Sequence, residues 1–491
     1  MFADPQSVQN HLTEALKTAL ESVAPEAADT PILLERPRDP AHGDFAANLA
    51  MLLAKRLKKN PRELAARLLA EMPASALIAK AKVAGAGFIN FTLDTAAKTG
   101  IVHLALREGE NFGRSTLGGG QKVLLEYVSS NPTGPLHVGH GRGAAYGASL
   151  ASLLAFAGFD ITREYYVNDA GRQMDILALS TWLRYLEIFG EATPFPPNAY
   201  QGGYVRAMAE HAKTLHGERF VRPAAQFLEG MADWPDAAIK DDAAKAARES
   251  LLDACIARAK ALLGEDWAII HQLSLTEQLA DARADLEEFG VQFDVWFSEK
   301  ALYDQGRVAR AVALLETAGH LYTQDGAKWF KSTAFGDEKD RVVQRDNGSF
   351  TYFASDIAYH LNKYERGFER IMDIWGADHH GYVPRVKGAM TALGHDPEKL
   401  EVLLVQFAVL YREGKKVPMG TRSGSFVTLR DLRKEIGNDA CRFFYVLRKA
   451  DQHLDFDLSL AVKQSNDNPV YYIQYAHARI CSVLKEWGGD P

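Results

Sequence analysis

The chain has 491 residues, 47% of them apolar and 24% charged. That is an ordinary globular composition, which excludes collagen-like, disordered and disulfide-scaffold proteins. Lysine and arginine number 56 against 63 acidic residues, a net charge of −7, so a uniformly basic nucleic-acid coat is excluded but a local basic surface is not. At ~150 residues per domain the length suggests about three domains. The N-terminus, MFADPQSVQNHLTEALKTAL, has no basic start followed by an apolar core, and no window approaches the ~18 apolar residues of a membrane span. A cytoplasmic protein with no membrane contact is expected. Cys255, Cys441 and Cys481 form no Cys-x-x-Cys pair, so structural zinc and a disulfide framework are not expected, and the thiols read as buried and reduced.

Residues 1 to about 116 read as a separate α+β module. Helical periodicity covers Val8 to Leu20, Phe45 to Leu57 and Pro61 to Leu69, with Pro61 suited to a first helical turn. Ala86 to Leu93 is β-like. A basic cluster, Lys55, Arg56, Lys58, Lys59, Arg62 and Arg67, is opposed by Glu63 alone. It is either a solvated helix face or a contact surface for a phosphate backbone.

Gly118-Gly119-Gly120 breaks the chain. A buried strand is expected at Lys122 to Val128, then the loop SSNPTGPLHVGH, a small-residue helix from Gly141 to Ala157 closed by Gly158, and a strand from Ile161 to Val167. Strand, helix and strand in this order argue for a parallel sheet with helices on its faces. Residues 185 to about 275 are mostly charged helix and read as an insertion. From 327 to 354 the pattern is β, with AKWFKSTAF and RVVQRDNGSFTYF and a hairpin turn at Asn347-Gly348. Helix and strand then alternate: Ile357 to Tyr364, Arg370 to Trp375, Pro384 to Leu393 and Leu400 to Leu410. The expected fold class is α/β, a Rossmann-like parallel sheet with helical and β insertions. An N-terminal α+β module precedes it and the start of a C-terminal helical bundle follows it.

The chemistry concentrates at His137-Val138-Gly139-His140, where a strand meets a helix. Ligands of open α/β sheets bind at the C-terminal ends of the strands, and a helix N-terminus attracts phosphate. Gly139 lets the backbone approach a ligand. The two imidazoles lie on one side of the first helical turn and can donate to phosphate oxygens. Two histidines also fit a metal pair, but no third ligand stands near in sequence, so no metal site is expected. Pro132 and Pro135 stiffen the loop. Glu126, at the mouth of a phosphate site, would repel a nucleotide unless it faced a cation, which points to a positively charged second substrate.

Glu126-Tyr127-Val128-Ser129-Ser130-Asn131-Pro132-Thr133-Gly134-Pro135-Leu136-His137-Val138-Gly139-His140 resembles the first signature region of class I aminoacyl-tRNA synthetases, and specifically of the arginyl-tRNA synthetase family. Tyr166-Val167-Asn168-Asp169-Ala170-Gly171-Arg172-Gln173, then Tyr352-Phe353-Ala354-Ser355-Asp356-Ile357-Ala358-Tyr359-His360, then Trp375-Gly376-Ala377-Asp378-His379-His380-Gly381-Tyr382 resemble that family in the same order. The resemblance covers essentially the whole chain.

It implies an arginine–tRNA ligase. The carboxylate of L-arginine attacks the α-phosphorus of ATP, carried with Mg2+, to give arginyl-adenylate and pyrophosphate. The arginyl group then passes to the 3′-terminal ribose of tRNA(Arg), at the 2′-OH. Residues 130 to 140 would form the ATP site: Ser130, Asn131, Pro132, Thr133, Gly134, Pro135, Leu136, His137, Val138, Gly139 and His140. Gly139 would admit the adenine, and Asp378, His379 and Met419 would complete the site. Glu126, Tyr352 and Asp356 would hold the guanidinium, with Asn131 and Ser129 at the α-amino and carboxylate end. Asp356 also fits a helix N-cap. The second class I signature corresponds to Lys415-Lys416-Val417-Pro418-Met419-Gly420-Thr421-Arg422-Ser423-Gly424, where Pro418 and Thr421 stand in its two lysine positions. Arg422, Lys415 and Lys416 are the candidates for the catalytic cation beside His137 and His140. Thr428-Leu429-Arg430-Asp431 resembles a capping box. The N-terminal module would grip the tRNA elbow through Lys55, Arg56, Lys58, Lys59 and Arg62. Bound tRNA is expected to be needed before arginine is activated.

The resemblance sets domains at 1–116, 117–430 (with insertions at about 185–275 and 300–350) and 431–491, in a chain expected to be monomeric. Asn468 to Trp487 resembles the first helix of the family's anticodon-reading bundle, so a truncated polypeptide is expected. Three alternatives stand beside this reading. They are a small-molecule nucleotidyltransferase with the same His-x-Gly-His loop, a non-catalytic RNA-binding relative, and a synthetase for another amino acid.

Overall fold

The structure is a computed structural model and describes residues 5–191, 193–234, 239, 241–417 and 427–489. It has two compact units, one running to Arg114 and one spanning Ser115–Trp487.

In the first unit, helices Pro5–Val23, Leu49–Leu57 and Pro61–Glu71 pack on an antiparallel sheet. The strand order is Leu34–Glu35, Phe45–Ala47, Phe88–Leu93, Ile78–Ala84. Leu12, Leu16, Leu53, Leu64, Ile89 and Phe91 make its core. The helix expected from Phe45 begins only at Leu49. Phe45 and Ala47 are buried alternately, a period-two pattern, and pair with Phe91 and Ile89 as a strand. Asn60 caps the third helix by accepting the Arg62 N–H, and Pro61 opens that helix as expected.

In the second unit, β1 (Lys122–Glu126), α1 (Val138–Phe156) and β2 (Asp160–Val167) form the strand–helix–strand start. The chain then leaves the sheet through helices between Arg172 and Glu288 that surround an apolar core of their own, including Trp182, Leu186, Phe220 and Ile256. It returns as β3 (Val295–Ser298) and turns into α2 (Glu299–Asp304). A three-stranded antiparallel sheet over 321–344 precedes α3 (Tyr352–Glu365), β4 (Arg370–Gly376) and β5 (Leu400–Val405). The main sheet runs β5-β4-β1-β2-β3, parallel throughout. Connections leave β1 towards β2 on one side, while β4 lies on its other side, so the crevice at the C-terminal ends of β1 and β4 is a topological switch point.

Three boundaries differ from the pattern in the sequence. AKWFKSTAF stops being strand at Phe330 and enters a short helical turn over Ser332–Phe335, where the Ser332 hydroxyl donates to the Lys339 carbonyl. The hairpin turn takes Asp346, Asn347 and Gly348 rather than two residues. The Gly348 N–H donates to Arg345, and Gly348 sits at φ 81°. Leu400 to Leu410 is two strands in two sheets. It breaks at Gln406, whose N–H donates to the Ala450 carbonyl and whose own carbonyl accepts from the buried Arg142 guanidinium (2.7 Å). The second strand, Ala408–Arg412, pairs with Leu454–Asp457 and with Lys415–Lys416. Helix α1 ends at Ala157, with Gly158 following at φ 91°. Thr428 caps the helix Leu429–Ile436, and its hydroxyl accepts the Asp431 N–H and donates to the Asp431 carboxylate.

Cys255 and Cys441 are buried, whereas Cys481 is exposed, contrary to the expectation for all three. It lies on the helix Pro469–Trp487, an element that carries Ile473, Ile480, Val483 and Trp487 into solvent. Among the described residues no helix is long and apolar enough to cross a membrane.

A small residue lets α1 lie close on the residue that follows β1: a Cβ at Gly147 would come 2.4 Å from the Tyr127 ring. Gly147→Ala is therefore expected to destabilise the protein by about 1–3 kcal/mol through overpacking. Chemical denaturation followed by far-ultraviolet circular dichroism checks it.

Candidate active site

β1 ends abruptly. Val128 and Ser129 both take left-handed backbone conformations, at φ 68° and 43°. A β-branched residue there is strained, and such strain gathers at functional sites. The turn folds Ser129 back so that its hydroxyl donates to Glu126 Oε1 (2.8 Å) and accepts the Tyr166 N–H (3.1 Å). Glu126, the last residue of β1, is thereby buried at the sheet's C-terminal edge. The loop beyond is anchored by Tyr165, which meets the Ser130 hydroxyl at 2.7 Å and donates to the Ser130 carbonyl at 2.9 Å, and by Tyr204, which donates to the Thr133 carbonyl.

The loop delivers the chain into α1 three residues earlier than expected. His137 is the N-cap, and its Nδ1 accepts the Gly139 N–H (3.0 Å). His140 Nδ1 accepts the His137 N–H (3.2 Å). The two rings stack with centroids 3.7 Å apart. With each Nδ1 accepting, the ring proton stands on Nε2. Burial lowers both pKa values, that of His140 to about 3, so the stacked pair is neutral near pH 7 and carries no mutual repulsion. A Cβ on Gly139 would come 2.7 Å from the His137 ring, so the glycine here makes room for the first imidazole. Thr428 forms a bridge with His137, and the Leu429 N–H donates to the Leu136 carbonyl. The segment after the second signature is thus tied to the first.

Near the C-terminal edge of the sheet several acids come close together. Glu299, the first residue of α2, is 2% exposed. Burial raises its pKa to about 7, opposed by the nearby Ser355 hydroxyl and reinforced by the charges of Asp356 and Asp169. Turned so that its amide nitrogen meets the carboxylate, Asn168 donates to Glu299 Oε2 (2.7 Å). Asp169 accepts from the Ser298 hydroxyl (2.6 Å) and the Lys300 N–H (2.8 Å). Asp356 is partly buried, accepts a hydrogen bond from the Tyr382 hydroxyl, and has its pKa raised by burial despite that bond. It is the fifth residue of α3, whose N-cap is Thr351, so the N-cap reading is overturned. The buried Tyr166 phenol sits in the field of Glu299, Asp356 and Glu126. Tyr352, the first residue of α3, is 59% exposed, and its hydroxyl lies near Gly171.

Glu126 Oε2 also meets a buried ammonium, Lys363 Nζ, at 2.5 Å. Asp373, which pairs with Glu126 across β4 and β1, takes the same ammonium at 2.6 Å. Burial alone would lower the Lys363 pKa, but the two carboxylates outweigh it and raise it. Glu164 is satisfied separately by Tyr359 and by both Arg366 nitrogens.

Residues 7–93 match the family described as arginyl-tRNA synthetase N-terminal domain, and residues 102–193 and 258–455 match the class I (R) tRNA synthetase catalytic domain. The arginine–tRNA ligase of Dechloromonas aromatica (strain RCB) is 70% identical over 485 residues, covering 99% of this chain and 83% of that one. The chain belongs to the class I arginyl-tRNA synthetase family. The arginine–tRNA ligase of Azoarcus sp. (strain BH72) is 69% identical, covering 100% of this chain and 83% of the relative. The solved arginyl-tRNA synthetase of Thermus thermophilus shares the fold, with a TM-score of 0.61 at 23% identity over 98% of this chain and 82% of that one. Membership makes the chain an aminoacyl-tRNA synthetase, a ligase.

Ser129 is bonded to Glu126, Asp356 lies within electrostatic reach of Glu126, and His137 stacks on His140. Asn131, Asp378 and His379 are exposed, the latter two just past the end of β4 with their side chains 3.7 Å apart. Lys415 and Lys416 are exposed on their short strand. Met419 and Arg422 lie outside the described residues. In the other unit Lys55, Lys58, Lys59 and Arg62 are exposed around a helix–helix corner, while Arg56 is tied to Asp29 (2.5 Å) and to the Glu26 carbonyl (3.0 Å). Among the described residues no group of three His, Cys, Asp or Glu side chains could hold a metal ion.

Reading the sequence missed Glu299, Asn168 as its partner, and Lys363. Glu299 follows a strand of only four residues, too short to show a period. Lys363 had a signal: Asp356, His360 and Lys363 are spaced four and three apart, one face of a helix.

Imidazole nitrogen NMR is expected to show His140 as the neutral Nε2–H form from about pH 8 down to about pH 5, because burial holds the ring well below the usual histidine range. Protonation near pH 6 would contradict the capped, stacked arrangement.

Proposed function

We propose that the switch-point crevice carries out the arginine–tRNA ligase reaction, with the acidic hollow taking the guanidinium and the stacked imidazoles taking ATP. The observation that carries this reading is the set of carboxylates, Glu126, Glu299 and Asp356, brought together at the C-terminal edge with too few protein cations to balance them. Two of the three have raised pKa values, as expected of a pocket built for an absent positive charge. A guanidinium is planar, permanently charged and rich in donors, and fixed carboxylates suit it.

In this reading Glu299, Asp356, Glu126 and Tyr352 surround the guanidino end of L-arginine, while Ser129 and Asn131 lie towards its α-amino and carboxylate end. The 130–140 loop and the start of α1 seat ATP, with Asp378, His379 and Met419 completing the site. An arginine carboxylate oxygen attacks the α-phosphorus, the bond to the bridging oxygen breaks, and pyrophosphate leaves with its Mg2+. His137 and His140 donate from Nε2 to phosphate oxygens as charge develops, and being neutral they need no proton change to do so. Lys415, Lys416 and Arg422 are the cations that offset the leaving group. The terminal ribose hydroxyl of tRNA(Arg) then attacks the arginyl carbonyl and AMP departs. Positioning and charge neutralisation do most of the work. The exposed corner of Lys55, Lys58, Lys59 and Arg62 serves as a tRNA backbone contact, with Arg56 held to its own unit. The reading takes 1–116, 117–430 and 431–491 as tRNA-contacting, catalytic and stem-contacting parts of a monomeric cytoplasmic enzyme without a resident zinc.

ATP–pyrophosphate exchange with each of the twenty amino acids, with and without tRNA(Arg), tests this. Exchange is expected with arginine alone and only with tRNA present. Exchange with another amino acid, or full exchange without tRNA, would favour another synthetase or a small-molecule nucleotidyltransferase. Asp356→Ala is expected to raise the arginine KM about 30-fold or more, since one carboxylate partner of a cation is lost. His140→Ala is expected to cut kcat about 100-fold while leaving arginine affinity nearly unchanged.

Glu299 gives a pH prediction. Its raised pKa, about 7, means that it binds a proton as pH falls and loses the charge that attracts the guanidinium. Arginine KM is expected to rise from about pH 8 to about pH 6, approaching tenfold per pH unit below the midpoint, and Glu299→Gln is expected to flatten that rise. Steady-state kinetics across this range checks it.

A further inference from the structure

Lys363 takes no part in the reaction described above, yet its side chain has no exposed surface. Its ammonium is 2.5 Å from Glu126 Oε2 and 2.6 Å from Asp373 Oδ1, and it lies 4.4 Å from the centroid of the Tyr359 ring. The network goes further. The other Asp373 oxygen meets His360 Nε2 at 3.0 Å, and His360 Nδ1 meets the Asp356 carbonyl at 2.8 Å. A continuous path therefore runs from Glu126 on β1, through Lys363, Asp373 and His360, to the turn of α3 that carries Asp356. Glu126 and Asp356 are two of the carboxylates assigned to arginine.

A buried ion cluster is by itself weak evidence of a stabilising role. A buried ion cluster is often no better than apolar side chains of equal volume, because desolvation offsets the attraction. The position on α3 could be filled by leucine or methionine if packing were its purpose. What the ammonium supplies that a hydrocarbon cannot is direction. It captures one Glu126 oxygen, Ser129 takes the other from the opposite side, and the carboxylate is left with a single orientation.

We propose that Lys363 is a positioning residue for the amino-acid substrate, fixing the Glu126 carboxylate and, through Asp373 and His360, its spacing from Asp356. The proposal rests on the reading of the hollow as the arginine site. In that arrangement the attraction for the guanidinium falls mainly to Asp356 and Glu299, and Glu126 sets the shape and depth of the pocket.

The test is arginine-dependent ATP–pyrophosphate exchange by the full chain with tRNA(Arg), comparing wild type, Lys363→Met, Glu126→Gln and the double variant. Lys363→Met is expected to raise the arginine KM about 30-fold or more while the ATP KM stays within about threefold. The double variant is expected to be little worse than Glu126→Gln alone, because the lysine acts through that carboxylate. A folded Lys363→Met with wild-type arginine KM, or effects of the two substitutions that simply multiply, overturns the proposal. If Lys363→Met does not fold, Asp373→Asn decides: it keeps the ammonium on Glu126 but weakens the link to Asp356. A several-fold rise in arginine KM with unchanged ATP KM supports the proposal, and no change overturns it. Wild type that fails to activate arginine overturns instead the assignment of the hollow.

Discussion

A carboxylate taken out of water must find a cation, collect hydrogen bonds or take up a proton, and the catalytic unit shows each of these outcomes. Glu164 has the Arg366 fork and the Tyr359 hydroxyl. Glu126 and Asp373 share one buried ammonium. Asp169 is held by a hydroxyl and a backbone N–H. Among the described residues Glu299 and Asp356 form no ion pair, and burial raises their pKa values. The acids Glu164, Glu126, Asp373 and Asp169 are balanced internally, whereas Glu299 and Asp356 are not, a deficit that the guanidinium of the proposed reading would fill.

The start of α1, proposed above to seat the nucleotide, is built on the opposite principle. Positive charge is kept out of the start of α1 by burying two imidazoles until they are neutral, and the helix N-terminus and oriented Nε2–H donors are used instead. Dipoles fixed before the reaction cost no reorganisation when charge builds on phosphate. The arrangement depends on tight backbone packing: the left-handed turn at Val128 and Ser129, and a glycine beside the His137 ring. The bridge between His137 and Thr428 makes the same turn a fixed point for the flank of the second signature.

Much of the fold was legible from local pattern. The β1–α1–β2 unit, the α3–β4 alternation, the capping pair Thr428 and Asp431 and the glycine ending α1 each follow from rules that act within a few residues. Errors came where two patterns overlap or tertiary contacts intervene. Phe45–Ala47 fits a helix and a strand equally until its pairing with Phe88–Leu93 is known. The break at Gln406 is set by Arg142 and Ala450, far away in sequence. Asp356 looked like an N-cap because the apolar period becomes clear only after it, while the helix starts four residues earlier at Tyr352.

The sequence by itself determined the family, because several motifs of that family stand in it in order, and it determined the places where strands hand over to helices, because those depend on neighbours in the chain. Only the tertiary structure decided which buried acids are neutralised by a protein cation and which are not. Glu299, Lys363 and Asp373 come from different elements, and charge balance in a low-dielectric interior depends on distances of a few ångströms between groups that a linear pattern cannot bring together.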